Sequence, residues 1–444
     1  MFYRNLPLLR ILFAISMKTL VFTFLFSFAI LTIQAQTPAK PQTKPIVLQN
    51  GVLHLATGEV LQNASLRFEN GVITAVGSQV PLDGAEIVPL DGQHVYPSLI
   101  LPCTAVGLNE IAQIRSTLDY AETGEFNPNV RTQIAFNTDS ELLPTTRSNG
   151  TLILQPCPRG GLISGTSAVM HMDGWNWEDA TLKADDALHM NWVPMFTFGG
   201  FFSATPGQMQ KNETRGETIQ ELENVFKQAL AYTQSTPATK NLKFDAMRGL
   251  FDGSKSLFIH VDFSKEIIES IQFAQKHQVK KIVVVGGAEA IEIVDFLREN
   301  QIPVILERIH RIPYKKEEAI WLPYQLPYLL QKAGILVGLG YDTNDTEPMS
   351  ARNLPFLAGT AAAYGLTPEE ALKTVTINTA KILGIDNLVG TIEKGKQATL
   401  VVSKGDILDM RTNNVTLAYI QGRKVDLNDK HKQLYEKFKG KYER

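Results

Sequence analysis

Cysteine is almost absent from this chain: 444 residues carry only Cys103 and Cys157. That scarcity excludes a small fold stapled by several disulfides, so stability has to come from a buried apolar core. Neither sign of charge is in excess. The net charge is -2 and the pI about 6.5, which removes the electrostatic footprint of a nucleic-acid-binding protein. No G-x-G-x-x-G follows the first strand, which argues against a nucleotide-binding fold. What is present is the composition of a globular protein, 44% apolar and 20% charged, in a chain long enough for one large domain plus a smaller one.

The long apolar run lies at the N-terminus, where Arg4, Arg10 and Lys18 precede or interrupt a stretch reaching Leu31. Residues 1–36 read as a signal peptide, with Met17 as the most economical start and Ala35 as the small residue before cleavage; a retained membrane anchor is the alternative reading. The expectation is export to the periplasm or outside of a bacterial cell, with no stable membrane span once the signal is removed. An oxidising compartment leaves two states open for Cys103 and Cys157, a disulfide or two buried free thiols. Residues 37–45, rich in Pro, Thr and Lys, read as an extended linker.

Residues 46–96 alternate short β-type runs with Asn50-Gly51 and Asn70-Gly71, pairs that tolerate positive φ and mark hairpins. Residues 388–426 have the same character, so the two ends are expected to pair into one β-sandwich. Between them, residues 97–387 alternate apolar strands with helical segments, the pattern of a parallel sheet. The clearest unit runs from the strand at 257–261 through a helix at 265–277 to the strand at 281–285. The predicted class is α/β, a (β/α)8 TIM-like barrel carrying a small β-sandwich built from the N- and C-terminal segments. Active sites in such barrels sit at the C-terminal ends of the strands. Residues 427–444 read as a lysine-rich, solvated helical tail.

Three stretches carry a family resemblance. The first is Val95-Tyr96-Pro97-Ser98-Leu99-Ile100-Leu101-Pro102-Cys103-Thr104-Ala105, which has the frame of a metal-hydrolase strand with Cys103 and Ala105 at its two histidine positions. The second is the loop Gly160-Gly161-Leu162-Ile163-Ser164-Gly165. The third runs from Arg352-Asn353-Leu354-Pro355 through Gly365-Leu366-Thr367-Pro368-Glu369-Glu370-Ala371 to Thr376-Ile377-Asn378-Thr379-Ala380 and Gly390 to Lys396. Together they resemble the amidohydrolase superfamily, in its imidazolonepropionase-related and prolidase-like branch.

The resemblance implies hydrolysis of carbon–nitrogen bonds in a small molecule or short peptide by water bound to a divalent metal, zinc above others. It matches His260 to the fifth-strand ligand and Asp342 to the eighth-strand aspartate, which serves as metal ligand and general acid/base. The sixth-strand histidine position is Gly286. Cys103 is a candidate third ligand as a thiolate, and its other reading is a small buried apolar residue. Arg159 with Gly160 and Gly161 is a candidate binding loop for an anionic or carbonyl group, walled by Trp175 and Trp177; the other reading is a tight loop. His310, with Glu307, follows a strand and could reach the same mouth. His171 and His189 read as part of an insertion and too scattered to be ligands. The competing reading is a catalytically silent homologue, without metal, that binds a ligand or a partner subunit. Homo-oligomerisation and pairing with a metal-competent paralogue are both compatible with that surface.

Overall fold

The computed structural model describes residues 36–198, 209–235, 239–341 and 347–443. The predicted signal segment and Asp342 therefore lie outside the described residues. From Pro38 onward the chain forms one unit. Its strands, in chain order, are β1 (Ile46–His54), β2 (Val60–Glu69), β3 (Val72–Gly77), β4 (Glu86–Pro89), β5 (His94–Pro97), β6 (Leu99–Thr104), β7 (Thr151–Pro156), β8 (Ile163–Thr166), β9 (Val169–His171) and β10 (Thr181–Lys183). They continue with β11 (Ala187–Asn191), β12 (Phe196–Phe198), β13 (Met209–Lys211), β14 (Ser256–Val261), β15 (Ile282–Gly286), β16 (Val304–Leu306), β17 (Val337–Leu339), β18 (Leu400–Ser403), β19 (Val415–Ile420) and β20 (Arg423–Lys424).

The two ends of the unit share one sheet. Its order is β20-β19-β18-β5-β1-β2-β3, with β4 also paired to β1. The join is the antiparallel ladder from Leu400↔Pro97 to Ser403↔His94. Leu48, Leu66, Phe68, Val95, Leu400 and Tyr419 close a separate core beneath it. Asn50 and Asn70 have φ of 58° and 50°; the second pair turns β2 into β3 as expected, whereas Asn50-Gly51 lies inside β1 and makes a bulge against β2 instead of a hairpin turn.

The barrel region is built on parallel ladders. One joins β6 to β7, and the other runs β11-β14-β15-β16-β17. Between them the regular repeat gives way: β9 and β10 pair antiparallel, and β8 pairs antiparallel with β11. The local cause is glycine. Gly160, Gly161 and Gly165 all take positive φ, so the chain between β7 and β11 doubles back instead of running into a crossover helix.

Strand alternation sorts the side chains into two layers. Leu188, Met190, Leu257, Ile259, Val284 and Val304 point outward, into the core shared with the surrounding helices. Phe258, Val283, Val285 and Ile305 point inward, with Ile100, Ile153, Cys103 and Cys157. The helix Ser264–Lys276 packs on the outside through Ile267, Ser270, Ile271 and Ala274, the i, i+3, i+4, i+7 stripe of an amphipathic helix. After β15 the chain makes a short 3-10 turn, Ala290–Ile293, followed by the helix Val294–Glu299. Glu289 at the start of the turn is tied to Ser264 and Lys315. The tail forms the helix Lys430–Tyr442, capped by Asp429 and burying no residue. Among the described residues, no helix is long and apolar enough to cross a membrane.

Candidate active site

His260 owes its position to the alternation of β14. Phe258 and His260 face the barrel interior, and His260 lies near the C-terminal end of its strand, opposite Asn191 of β11 and Val285 of β15. Its Nε2 shares a hydrogen bond of 2.9 Å with Nδ1 of His189, and its Nδ1 lies 3.9 Å from Oε1 of Glu307. Glu307 follows β16, so the pair sits where parallel strands end. Burial, with the Arg159 guanidinium adding to it, lowers His260 to about 4. At neutral pH it is an uncharged imidazole that can hold or pass one proton.

A cleft of about 480 Å³ opens beside Glu307; His260 is not among the residues that line it. Asp262, Gly286, Glu307, Arg308, Arg311, Ile312 and Tyr314 are among the residues that line it. Asp262, Gly286 and Glu307 stand at the ends of β14, β15 and β16, so this cleft is the barrel mouth. A more open hollow of about 650 Å³ is lined by Asp185 and Lys255. Those residues precede β11 and β14, which places it at the opposite end of the strands, away from the catalytic face.

The strand-one positions point elsewhere. Leu99, Ile100 and Leu101 alternate out, in, out, and unbroken alternation would send Cys103 outward. The ladder to β7 slips between Leu101 and Thr104, and Cys103 takes a left-handed φ of 50°. This bulge turns the thiol inward. The Cys103 backbone N–H donates to Oε1 of Gln155 at 3.1 Å, and its Sγ lies 3.6 Å from the same oxygen. Both cysteines are buried free thiols, so of the two states left open the structure holds the reduced one. Burial, and then the hydrogen bond with Cys157, push the Cys103 thiol well above its ordinary range.

The expected ligand set is therefore regrouped. Cys103 meets Cys157 and His189, whose donor atoms all lie within 4.8 Å of one another, while His260 reaches Cys103 only through His189. His189 corrects the expectation of a scattered insertion: it is an interior residue of β11, fully buried. Alternation through Ala187-Leu188-His189-Met190 was the signal that could have found it. His171 sits on β9, buried, and outside this group.

Gly286 cannot be treated as a histidine position with its side chain removed. Its φ is 101°, and a Cβ there would stand 2.8 Å from Oδ1 of Asp262 and 3.0 Å from the carbonyl of Val261. The Asp262 carboxylate occupies that space.

Arg159 is at the mouth, close enough to depress His260, with its guanidinium 5.4 Å from the centre of the Tyr120 ring. Gly160 and Gly161 form the tight loop beside it. Gly161 is required there, since a Cβ would stand 2.7 Å from the carbonyl of Gly124. His310 is not among the residues lining the cleft; its Nε2 bonds Oγ1 of Thr360 at 2.6 Å. Trp175 is 71% exposed and Trp177 packs against the outer core, so neither walls the mouth.

Comparison with known proteins agrees with this architecture. The Amidohydrolase family matches residues 324–426. The imidazolonepropionases of Shewanella frigidimarina and Geobacillus kaustophilus are 37% identical over 115 residues and 31% identical over 159 residues. Those matches cover 25% and 32% of this chain and 28% and 37% of the relatives, so well under half of either relative is spanned. The crystal structure of an amidohydrolase from Thermotoga maritima superposes with a TM-score of 0.76 at 23% identity, covering 86% of this chain and 99% of that one. A Xaa-Pro dipeptidase structure with bound methionine gives a TM-score of 0.54 at 14% identity, covering 86% and 100%. The chain thus has the TIM-barrel-plus-sandwich fold of amidohydrolase structures, and its residues 324–426 match the Amidohydrolase family, with imidazolonepropionases as distant, partly covered relatives.

Proposed function

We propose that this protein is an exported hydrolase of carbon–nitrogen bonds that takes a small molecule or short peptide at the barrel mouth. The observation that carries the reading is the neutral His260 standing 3.9 Å from Glu307, a carboxylate that lines a 480 Å³ cleft at the strand ends. In this reading Glu307 and His260 take a proton from water as it adds to the carbonyl carbon. They return it to the nitrogen as the C–N bond breaks. Arg159 and Arg308 favour a substrate bearing a carboxylate, and Asp342 is proposed to share the acid/base role with Glu307 and His260. Its place in the sequence, just after β17, supports that assignment.

The superfamily typically holds a divalent metal, which when bound polarises the carbonyl and acidifies water. The residues present do not fit that ion at its usual mouth position. Cys103 is turned inward, Ala105 offers no donor, and the space at Gly286 belongs to Asp262. No step above therefore runs through a metal.

The test is a turnover screen of the purified chain against N-acyl amino acids, dipeptides and cyclic amides. Glu307→Gln and His260→Ala are expected to lower kcat by about a hundredfold or more. Turnover unaffected by Glu307→Gln would overturn the assignment. A specific observation favours a second reading: three ligand positions are occupied by Cys103, Ala105 and Gly286. Ligands that raise the melting temperature without being hydrolysed would identify a silent barrel that binds a ligand or a metal-competent paralogue. Export is supported by the basic and apolar run over residues 1–36, and cell fractionation tests it.

A further inference from the structure

The proton-handling pair at the mouth leaves one cluster of chemistry unused, deeper in the barrel. Cys103 comes from β6, Cys157 follows β7 and His189 lies on β11. Each is at most 1% exposed, and their donor atoms lie within 4.8 Å of one another. Zinc binds sulfur at about 2.3 Å and imidazole nitrogen at about 2.0–2.1 Å, so donors around one tetrahedral ion stand roughly 3.3–3.8 Å apart. Closing from the observed spacing to that one asks for side-chain adjustments, not a new backbone.

A second, independent observation points to a ligand. Nδ1 of His189 is engaged by His260 at 2.9 Å, while its buried Nε2 has no hydrogen-bond partner. A metal-binding imidazole is arranged in this way, one nitrogen fixed by a neighbour and the other left to the ion. Ile100, Ile153 and Phe258 share this interior layer, and Gln155, itself bonded to Asp186, stands 3.6 Å from the Cys103 sulfur through Oε1.

The geometry points to a thiolate–imidazole site for a zinc-type ion, formed by Cys103, Cys157 and His189, one layer inward from the mouth. The donors are soft and borderline, which selects zinc over magnesium or calcium. Uptake replaces the two S–H protons, which leave to solvent, and keeps His189 neutral, so binding strengthens as pH rises. His260 is a positioning residue: it touches the ligand, not the ion. The bulge at Cys103 is what the site needs, since without it the thiol would face the outer core. A Cys103–Cys157 disulfide would remove two of the three donors, so disulfide and ion exclude each other.

The experiment uses the full chain purified from its own compartment without chelator. Elemental analysis is expected to find about one zinc per chain, and exchange with cobalt to give a thiolate-to-cobalt charge-transfer band in the near ultraviolet. Cys157→Ser is expected to lose both, with its fold checked by circular dichroism. His260→Ala is expected to keep the ion with roughly 10–100-fold weaker affinity. Wild-type protein that takes up neither zinc nor cobalt, or a Cys103–Cys157 disulfide found by mass spectrometry, would overturn the site. So would a cobalt-loaded wild type lacking the thiolate band, which decides the matter even if the variants fail to fold. These readouts do not depend on turnover, so they stand apart from the proposed hydrolase activity.

Discussion

Three histidines are carried into the folded state as neutral rings, and each does so for the same reason. Burial lowers His171 to about 3 and His260 to about 4, and it lowers His189 well below its ordinary value. In the unfolded chain all three titrate near 6.5. Between about pH 6.5 and 4 the unfolded chain therefore binds protons that the folded chain refuses, and stability falls as pH falls through that window. Urea unfolding at stepwise lower pH is expected to show this loss, with a shallower slope in His171→Leu. A profile that stays flat to pH 4 would contradict the burial argument. These residues also show what a single sequence conveys. His260 is a candidate through the family resemblance, and β14 carries it near its C-terminal end; His189, read as part of an insertion, is an interior residue of β11. The neighbours of Cys103 are not legible in the sequence, because a bulge that reverses its direction depends on register with β7 and leaves no signature in composition or spacing.

Secondary elements were legible where periodicity was strong. The strands at 257–261 and 281–285 and the helix after the first were located to within a residue or two, because each has a clean alternation or an i, i+3, i+4 stripe. The stretch between β7 and β11 was not, since its strands of three or four residues are too short to establish a period and its glycines set the path. Capping was readable directly. Thr367-Pro368-Glu369-Glu370 forms a reciprocal capping box at the start of the helix Pro368–Thr374, in which Thr367 and Glu370 satisfy each other's backbone N–H groups. That helix packs beside β17, so its first turn supports the barrel wall. Thr367→Ala is expected to cost about 1 kcal/mol in equilibrium unfolding. An unchanged midpoint would mean that tertiary packing alone holds the helix start.

At the scale of the whole unit, one carboxylate ties distant segments together. Asp173 pairs with Arg423 at 2.9 Å and stands 3.6 Å from Arg147, and it accepts the backbone N–H of Ala39. Its side chain is only 7% exposed. Removing one member of a buried ionic group strands the others, so Asp173→Ala is expected to cost about 3–5 kcal/mol. Replacing the set by apolar residues need not. A loss below about 1 kcal/mol in a folded Asp173→Ala variant would show that solvent reaches the two arginines. Neither partner was identifiable from sequence, since nothing local marks residues so far apart as neighbours.

The ladder between β5 and β18 has a consequence in time. β5 is made well before the strand that covers its edge, since β18 lies about 300 residues further along the chain. Until then β5 presents unpaired backbone groups on that side, a template for pairing with another chain. Long-range closure of this kind is slow and leaves intermediates exposed to aggregation. A chain interrupted before residue 400 would keep the barrel's sequence and lose the strand that seals the sandwich. For such a fragment the hazard is self-association, and β18 acts as the latch that ends it.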